Sequence, residues 1–383
     1  MAKKKRGALL KKAGKMLLIV LTVLAAIGLL FSFLAKLLPP SLSSIIAYCG
    51  LFFPYLLIAN FVLTAIWLVV DFSWAIVPAF VIILNVNNID KHFQFRGIEK
   101  PEVCVNCLKV MSYNAKAFNI YSDEQLSLNR QVVHFLQNEK PDILCLQEYS
   151  YDPNGKTGFR STEAILNALN VKDNERTHKV VLPYKNKLGY QFGMAIFSKY
   201  RIVGGGIVDT TESSSNKSMY VDIRYNGDTL RVYNIHLASM HLDSADYETG
   251  KAIWAGSYDS SFNNKAQKLS RKISAAYELR QHQAKNIHTH ISECPYPVIL
   301  CGDFNDSPAS YSYGKLMQGL KDAFRGSGKG TGTTYIGGNF PAYRIDYIAH
   351  DKQFNDFQYT VCKELAVSDH YPIYSYISIV KKN

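Results

Sequence analysis

Val298-Ile299-Leu300-Cys301-Gly302-Asp303-Phe304-Asn305 is an apolar run that breaks into a glycine, an acid and an amide. Four consecutive apolar residues closed by turn-forming polar ones read as a short buried strand. Its polar residues then stand on the rim of whatever sheet it joins. Four other stretches are read the same way, as the ends of apolar strands: Ser112-Tyr113-Asn114, Leu146-Gln147-Glu148, Asn234-Ile235-His236-Leu237 and Ser368-Asp369-His370. A sixth, Arg344-Ile345-Asp346-Tyr347, opens a strand. One such stretch is ordinary turn chemistry, whereas six in one domain predict a shared polar site.

Around these stretches, residues 123–139, 161–169 and 266–291 have helical spacing, the last as a polar amphipathic helix. Further strands are expected over 103–113, 142–147, 180–182, 193–198, 219–225, 229–236, 344–349 and 373–379, with Asn226-Gly227-Asp228 as a hairpin signal. Residues 238–264 are rich in Ser, Asp and Gly without periodicity and predict a long loop near the site. Strands and helices alternate without a strict βαβ rhythm, which predicts mixed sheets covered by helices.

The N-terminal quarter is of another kind. Residues 16–89 are almost free of charge, whereas 90–383 have an ordinary soluble composition. Apolar runs over 16–38 and 42–70 are long enough to cross a bilayer. A third, 72–89, is shorter and ends in Asn85, Asn87 and Asn88, so two or three transmembrane helices are expected. Trp67, Trp74 and Tyr55 are candidates for the membrane interface. No small-x-small cleavage site ends the first run, and more apolar sequence follows at once, against a cleaved signal peptide. The expected organisation is a basic cytoplasmic N-terminus (1–15), a membrane segment (16–89), a linker (90–103) and a globular domain (104–380).

Seven Lys and Arg residues and no acid precede the first span. They should hold the N-terminus in the cytoplasm. Three spans then put the globular domain outside the cytoplasm, and two return it inside. Lys91, Arg96 and Lys100 argue mildly for the latter; three spans are the preferred reading. Of the net charge of +12, residues 91–383 keep +6, a mild excess that suits an anionic substrate. Cys145 and Cys301 lie in apolar strand runs and read as core residues. Cys104 and Cys107 form a lone C-x-x-C with no second pair at a zinc-ribbon spacing, and seven cysteines make no disulfide framework in a chain this long. The other histidines, with His282, His288 and His290 on a polar helix, read as surface residues.

The candidate site residues suit phosphate-ester hydrolysis. A hard cation such as Mg²⁺ takes oxygen ligands, often one or two carboxylates plus substrate phosphate, and Glu148 is the natural principal ligand. A carboxylate or histidine must orient and deprotonate water; Asp303 or His370 fits. An acid–histidine pair such as Asp346 with His370 would fix the imidazole tautomer. Arg344 either binds phosphate or braces the fold. Tyr311, Tyr313 and Tyr335 read as aromatic packing, with lining of the cleft as the alternative.

Taken in order, Gln147-Glu148, the Asn-x-His-Leu stretch, Cys301-Gly302-Asp303-Phe304-Asn305, Arg344-Ile345-Asp346-Tyr347-Ile348 and Ser368-Asp369-His370-Tyr371-Pro372 resemble the endonuclease/exonuclease/phosphatase (deoxyribonuclease I-like) superfamily. The hydrophobic N-terminus points to a bacterial, membrane-anchored branch. The resemblance implies a four-layered α/β sandwich with the site on one rim. It implies that Asn114 and Glu148 help hold Mg²⁺ (or Mn²⁺), with Asp369 assisting. Asp303 and Asn305 would orient water and phosphate, His236 and His370 would contact the phosphate and aid proton transfer, and Asp346 would polarise His370.

The expected activity is hydrolysis of a phosphodiester or phosphomonoester by a multi-pass protein of the bacterial inner membrane, its catalytic domain on the periplasmic side. A bilayer next to the site favours a phospholipid headgroup. Nucleic acid and inositol phosphates are the other substrate classes, because the fold alone does not give the substrate. The alternative of another class is a non-catalytic membrane-tethered binding module. No obligate protein partner is inferred.

Overall fold

The computed structural model describes residues 2–102, 104, 106–174, 176–208, 216–257, 261–337 and 343–379. The expected boundaries at 103 and 380 lie outside the described residues. The N-terminal helices are α1 (Ala2–Ala35), α2 (Ser44–Leu51), α3 (Phe53–Val70), α4 (Phe72–Leu84) and α5 (Val86–His92). Leu9–Ala35 and Phe53–Val70 are each long and apolar enough to cross a membrane, and α4 with α5 make a third crossing if the pair, bent by 57°, is one span.

Two expected runs are therefore broken. The 42–70 run divides at Phe52, with Pro54 in the first turn of α3, where a missing N–H costs nothing. The 72–89 run bends at Asn85. Its asparagines hold helices together: Asn85 Nδ2 donates to Leu29 O at 3.1 Å and Asn88 Nδ2 to Ser32 O at 3.4 Å. Asn60 Nδ2 likewise reaches Ala25 O at 3.0 Å. Side-chain hydrogen bonds of this kind join helices that apolar surroundings give no other reason to associate. Trp67 is fully buried between helices and donates to Thr22 Oγ1 at 2.8 Å. At one end of the bundle Lys15 pairs with Asp71 at 2.8 Å. The other end, where Phe53 packs on His92, meets the domain.

The domain begins with β1 (Cys107–Asn114), α6 (Gln125–Glu139), β2 (Ile143–Tyr151), α7 (Ser161–Ala168), β3 (His178–Lys185), β4 (Gln191–Ser198) and β5 (Ile202–Ile207). There follow β6 (Ser218–Tyr225), β7 (Asp228–His236), α8 (Ser244–Ala255), α9 (Phe262–Ser292), β8 (Val298–Asp303) and α10 (Tyr311–Leu316). The chain closes with β9 (Leu320–Asp322), α11 (Ala323–Ser327), β10 (Asp346–Asp351), β11 (Asn355–Val361) and β12 (Ile373–Ser378). Two six-stranded sheets result, in the orders β11-β12-β1-β2-β4-β3 and β5-β6-β7-β8-β10-β9. Each has one parallel pair at its centre, β1 with β2 and β7 with β8, and antiparallel strands outside it.

The sheets pack face to face through Val110, Cys145 and Ile196 of one and Val221, Val232 and Cys301 of the other. Phe135, Leu136 and Ile165 of α6 and α7 cover the outer face of the first sheet. Ala284 and Ile287 of α9 with Tyr313 of α10 cover that of the second. This is the expected four-layered α/β sandwich. Asn234 and Gln147 clamp its two sheets from within. Gln147 Nε2 donates to Asn234 Oδ1 at 2.7 Å, and Asn234 Nδ2 donates to Leu146 O and Ala195 O.

The long loop expected over 238–264 contains α8. Asp243 accepts the Asp246 N–H at 2.9 Å and Asp246 caps Asp243 in return, a capping box that the acidic spacing carries in the sequence. β5, β9 and β11 were not legible. Cys104 and Cys107 are joined as a disulfide. His92 and His350 are not surface residues: both rings are enclosed, and His350 Nε2 lies 2.9 Å from Asp356 Oδ1.

The N-terminal helices and the domain share a packed junction. Ala309, just beyond the β8 turn, sits in the helix core with Leu29, Phe53 and Ile82. Tyr48 Oη lies within 3.1 Å of the hydroxyls of Ser270 and Ser274 on α9. Arg325 pairs with Asp90 at 2.6 Å.

Candidate active site

The C-terminal ends of the two central parallel pairs fall on one rim of the sandwich, and the strands antiparallel to them begin there. Asn114 ends β1, His236 ends β7, Asp303 ends β8, and Asp346 opens β10 opposite Asp303 in register. His236 stands beside Asp303 in the parallel β7–β8 pairing. Ser368-Asp369-His370 precedes β12 instead of closing a strand, and so reaches the same rim from the opposite direction. Two local devices aim these groups. Gly302 has φ 144° and its α-carbon sits against the Ile235 backbone, leaving no room for a Cβ. At Glu148 the β2–β4 register slips and φ is 47°. That bulge turns a side chain out of the strand's alternation, and the Glu148 side chain is 44% open to water.

Six of the expected residues converge. Asn114 Nδ2 donates to Glu148 Oε1 at 3.2 Å and to Asp303 Oδ2 at 3.1 Å. His370 Nε2 and His236 Nε2 each lie 3.7 Å from Asp303 Oδ2, and His236 Nε2 is 4.0 Å from Glu148 Oε1. His370 Nδ1 lies 2.8 Å from Asp346 Oδ2. Asn305, with φ 51°, donates its backbone N–H to Asp303 Oδ1 at 2.7 Å and its side-chain amide to Leu237 O at 3.0 Å. Asp369 is at the edge, 3.6 Å from Lys116 Nζ.

The electrostatics divide these groups. Burial pushes the Asp303 carboxyl upward, the Asp346 carboxylate adds to this, and it reaches about 6. Burial works against the charged form of His370, but the Asp346 and Asp303 carboxylates outweigh it and raise its imidazole to about 10. Burial lowers His236, with Asp303 opposing. Neighbouring carboxyls and imidazoles pushed apart in this way are the raw material of acid–base catalysis.

Arg344 does not reach the cleft. The residue is 3% exposed; Nη2 donates to Asp322 Oδ2 and to Lys91 O, both at 2.8 Å, and Nη1 donates to Asp322 Oδ1 at 3.2 Å. Of the two readings open for it, bracing holds and phosphate binding is withdrawn. The guanidinium turns inward onto Asp322, a carboxylate that is itself buried. Of the tyrosines, Tyr313 is packed in the core and donates to Asp322 Oδ2 at 2.7 Å. Tyr335 lines the cleft, its ring edge-on to His370 at 5.1 Å.

Sequence reasoning missed the supports of the site. Arg280, fully buried on α9, donates to Asn305 O at 2.6 Å and lies 3.6 Å from Asp306. Ser368 Oγ donates to Asn114 O at 2.9 Å. Asn216 Nδ2 lies 3.2 Å from His236 Nε2. None of these had a signal, because each acts through a contact distant in sequence. The cleft, a cavity of about 250 Å³, is also walled by Leu51 of α2 and by Met240, Leu242 and Tyr247 around the start of α8.

The donor set fits a hard divalent cation. Glu148, Asp303 and Asp369 face one cleft whose lining holds no Lys or Arg among the described residues, and carboxylate oxygens in excess of cations suit Mg²⁺ or Mn²⁺. Asn114 presents Nδ2 to Glu148 and Oδ1 to the Lys116 N–H at 3.1 Å. In this orientation it braces the carboxylates, and only a flipped amide offers its oxygen to an ion. Asp303, Asp346 and His370 also lie close enough to share an ion. Since His370 Nδ1 is already taken by Asp346, that group is better read as an acid–imidazole relay than as a ligand shell.

Residues 111–370 match the endonuclease/exonuclease/phosphatase family, and residues 15–92 match a domain of unknown function, DUF8431. Among solved structures, the chain is similar to an endonuclease/exonuclease/phosphatase family protein from Leptotrichia buccalis: 18% identity, covering 71% of this chain and all of that one, TM-score 0.50. It is also similar to the human Nocturnin catalytic domain with bound sulfate anion: 15% identity, 76% and 99% coverage, TM-score 0.50. No curated protein sequence matches.

Proposed function

The chain belongs to the endonuclease/exonuclease/phosphatase family, and from that premise we propose that it is a membrane-anchored, divalent-metal-dependent phosphoesterase that cleaves a P–O bond with water. One observation carries the reading: Asn114, Glu148, His236, Asp303, Asp346 and His370, drawn from 257 residues of sequence, meet at one site through contacts of 2.8 to 4.0 Å.

Glu148, braced by Asn114 and with Asp369 at the edge of the cleft, would hold Mg²⁺ or Mn²⁺, and such an ion would supply Lewis-acid stabilisation of the phosphoryl group. Asp303, raised toward neutrality by burial, accepts the proton of the attacking water. Asn305, tied to Asp303 through its N–H, helps fix where that water sits. His370, kept cationic by Asp346 and Asp303, offers Nε2 to the non-bridging phosphate oxygens. His236 flanks the same phosphate and assists in moving the proton to the leaving oxygen.

Membrane anchoring rests on the exposed apolar faces of α1, α3 and α4, such as Leu24, Ile58, Val69 and Phe80. We read α4 and α5 as one bent third span. The basic N-terminus and the domain then lie at opposite ends of the bundle, and the positive charges put the catalytic domain on the periplasmic side of a bacterial inner membrane. Leu51, at the end of the short helix α2 between the apolar helices α1 and α3, walls the cleft, and no Lys or Arg lines it among the described residues. Both features favour a phospholipid headgroup over nucleic acid, whose backbone demands cationic contacts.

The test uses the full chain in detergent micelles with Mg²⁺. Turnover of bis-p-nitrophenyl phosphate is expected, with faster release of phosphate or headgroup from phospholipid in mixed micelles than of products from single-stranded oligonucleotides. Faster cleavage of the oligonucleotides replaces the lipid reading with an extracytoplasmic nuclease. A folded protein inert on all three is a binding module, and the enzyme reading is lost. Protease accessibility of the domain in spheroplasts decides the side of the membrane.

A further inference from the structure

A second cavity, of about 500 Å³, lies where the membrane helices meet the domain on the side of α5 and α10, and it shares no lining residue with the catalytic cleft. Lys36, one residue beyond α1, and Lys91 of α5 face it, together with Lys321 and Arg325 of the domain. Three carboxylates also line it, and each is already engaged. Asp90 pairs with Arg325 at 2.6 Å. Asp322 accepts from Arg344 and from the Tyr313 hydroxyl. Asp356 holds His350 at 2.9 Å. Lys321 is bound to Phe354 O at 3.1 Å.

Lys36 and Lys91 are what remain. Neither ammonium has a carboxylate within ion-pair distance among the described residues. Lys91 is 5% exposed, yet its only hydrogen-bond acceptor there is Asn88 Oδ1 at 3.2 Å, with the Tyr313 ring 5.0 Å away. Lys36 lies over the Phe33 ring at 4.5 Å. A buried ammonium without a counter-charge is costly, and an anion supplied from outside removes that cost. The surroundings say where such an anion comes from. Leu37, which lines the cavity directly after Lys36, exposes its apolar side chain, and both follow α1, a helix apolar enough to cross a bilayer, so the cavity lies where such a span ends. Basic pockets between membrane helices at that depth suit anionic lipid headgroups.

We propose that this junction is a binding site for the phosphate of an anionic phospholipid, held by Lys36 and Lys91, that fastens the catalytic domain to the membrane helices. It stands apart from the hydrolytic site and holds whether or not the substrate is a lipid. The lipid is a ligand bridging α1, α5 and α10, and turnover plays no part in its binding.

The experiment uses the full chain in EDTA, so that no metal-dependent hydrolysis intervenes, in nanodiscs of phosphatidylcholine with or without phosphatidylglycerol. Native mass spectrometry counts retained lipid and thermal unfolding reads the junction. Retention of phosphatidylglycerol over phosphatidylcholine is expected, with a higher unfolding temperature. Affinity should fall about fivefold in Lys36→Gln and about 25-fold when Lys91→Gln is added. Lys36→Arg should restore it. Lys36 is partly exposed at a helix end, so its single variants test the site even if the double variant does not fold. Glu148→Gln should retain the lipid as wild type does. Equal retention of the two lipids, or retention indifferent to Lys36→Gln, overturns the proposal. So does an equal rise in unfolding temperature from 10 mM inorganic phosphate in phosphatidylcholine discs (a concentration of about the usual order for weak phosphate sites), which would assign the pocket to free phosphate.

Discussion

Ser307 Oγ donates a hydrogen bond to the carbonyl oxygen of Gly50 at 3.2 Å, joining the turn after the Asp303 strand to the last residues of α2. Ser307 stands four positions after Asp303, and Gly50 is directly followed by Leu51 in the wall of the cleft. The N-terminal helical segment is thus part of the site's construction. A Cβ at Gly50 would stand 2.9 Å from Ala35 Cβ and 3.2 Å from Ala309 O, so the contact depends on glycine.

Gly50→Val should therefore push α2 off the turn. The expected cost is about 1–3 kcal/mol of stability from overpacking, together with lower turnover, since the backbone carrying Asn305 to Ala309 must shift. Thermal unfolding and steady-state turnover of the full chain in detergent check this. A variant with wild-type values in both would mean that the junction is plastic and does not shape the site.

Glu148→Gln removes the anionic ligand while keeping the side chain's size. Mg²⁺ affinity and turnover should fall together, each by about tenfold or more. Isothermal titration with Mg²⁺ alongside kinetics measures both. Unaltered Mg²⁺ dependence would take Glu148 out of the metal site.

His370→Ala and Asp346→Asn should each cut turnover by about 10²–10⁴-fold with little change in Mg²⁺ binding. Because Asp346 acts through His370 at 2.8 Å, the double variant should lose little more than His370→Ala alone. Additive losses in the cycle would show that the two residues work separately.

Arg344→Met should behave as a stability variant. It leaves Asp322 buried without its cation, at a cost of about 3–5 kcal/mol. Asp322→Asn in the same chain should recover part of it. A raised KM with unchanged unfolding temperature would instead return Arg344 to substrate binding.

Chelation with EDTA should abolish turnover while leaving the circular dichroism of the chain unchanged, since the sandwich core is closed by apolar clusters that involve no metal ligand. Mg²⁺ or Mn²⁺ should restore activity. Full activity in EDTA would remove the metal from the reaction.

Much of the domain was legible because its strands are short apolar runs closed by polar residues. That pattern holds for Asn114, His236 and Asp303 at the ends of β1, β7 and β8, whereas Glu148 lies at a bulge inside β2, Asp346 opens β10 and His370 precedes β12; the hairpin at Asn226-Gly227 falls between β6 and β7 as expected. Strands with a weaker signature, such as the glycine-rich Ile202–Ile207 and the half-exposed Asn355–Val361, were not legible. Their identity as strands comes from neighbours that pair with them. α8 was legible in principle through its capping acids, but it was hidden by polar composition.

By itself the sequence determined which residue types stand at strand ends and which stretches are apolar enough for a bilayer, because hydrophobic periodicity and turn chemistry are local properties of the chain. Tertiary structure alone decided that Arg344 faces Asp322 and not the cleft, that Arg280 fastens the Asn305 turn, and that Leu51 of the N-terminal helix α2 walls the site. Those outcomes depend on where buried charges find partners across dozens or hundreds of residues, and no local pattern encodes a partner that only folding brings near.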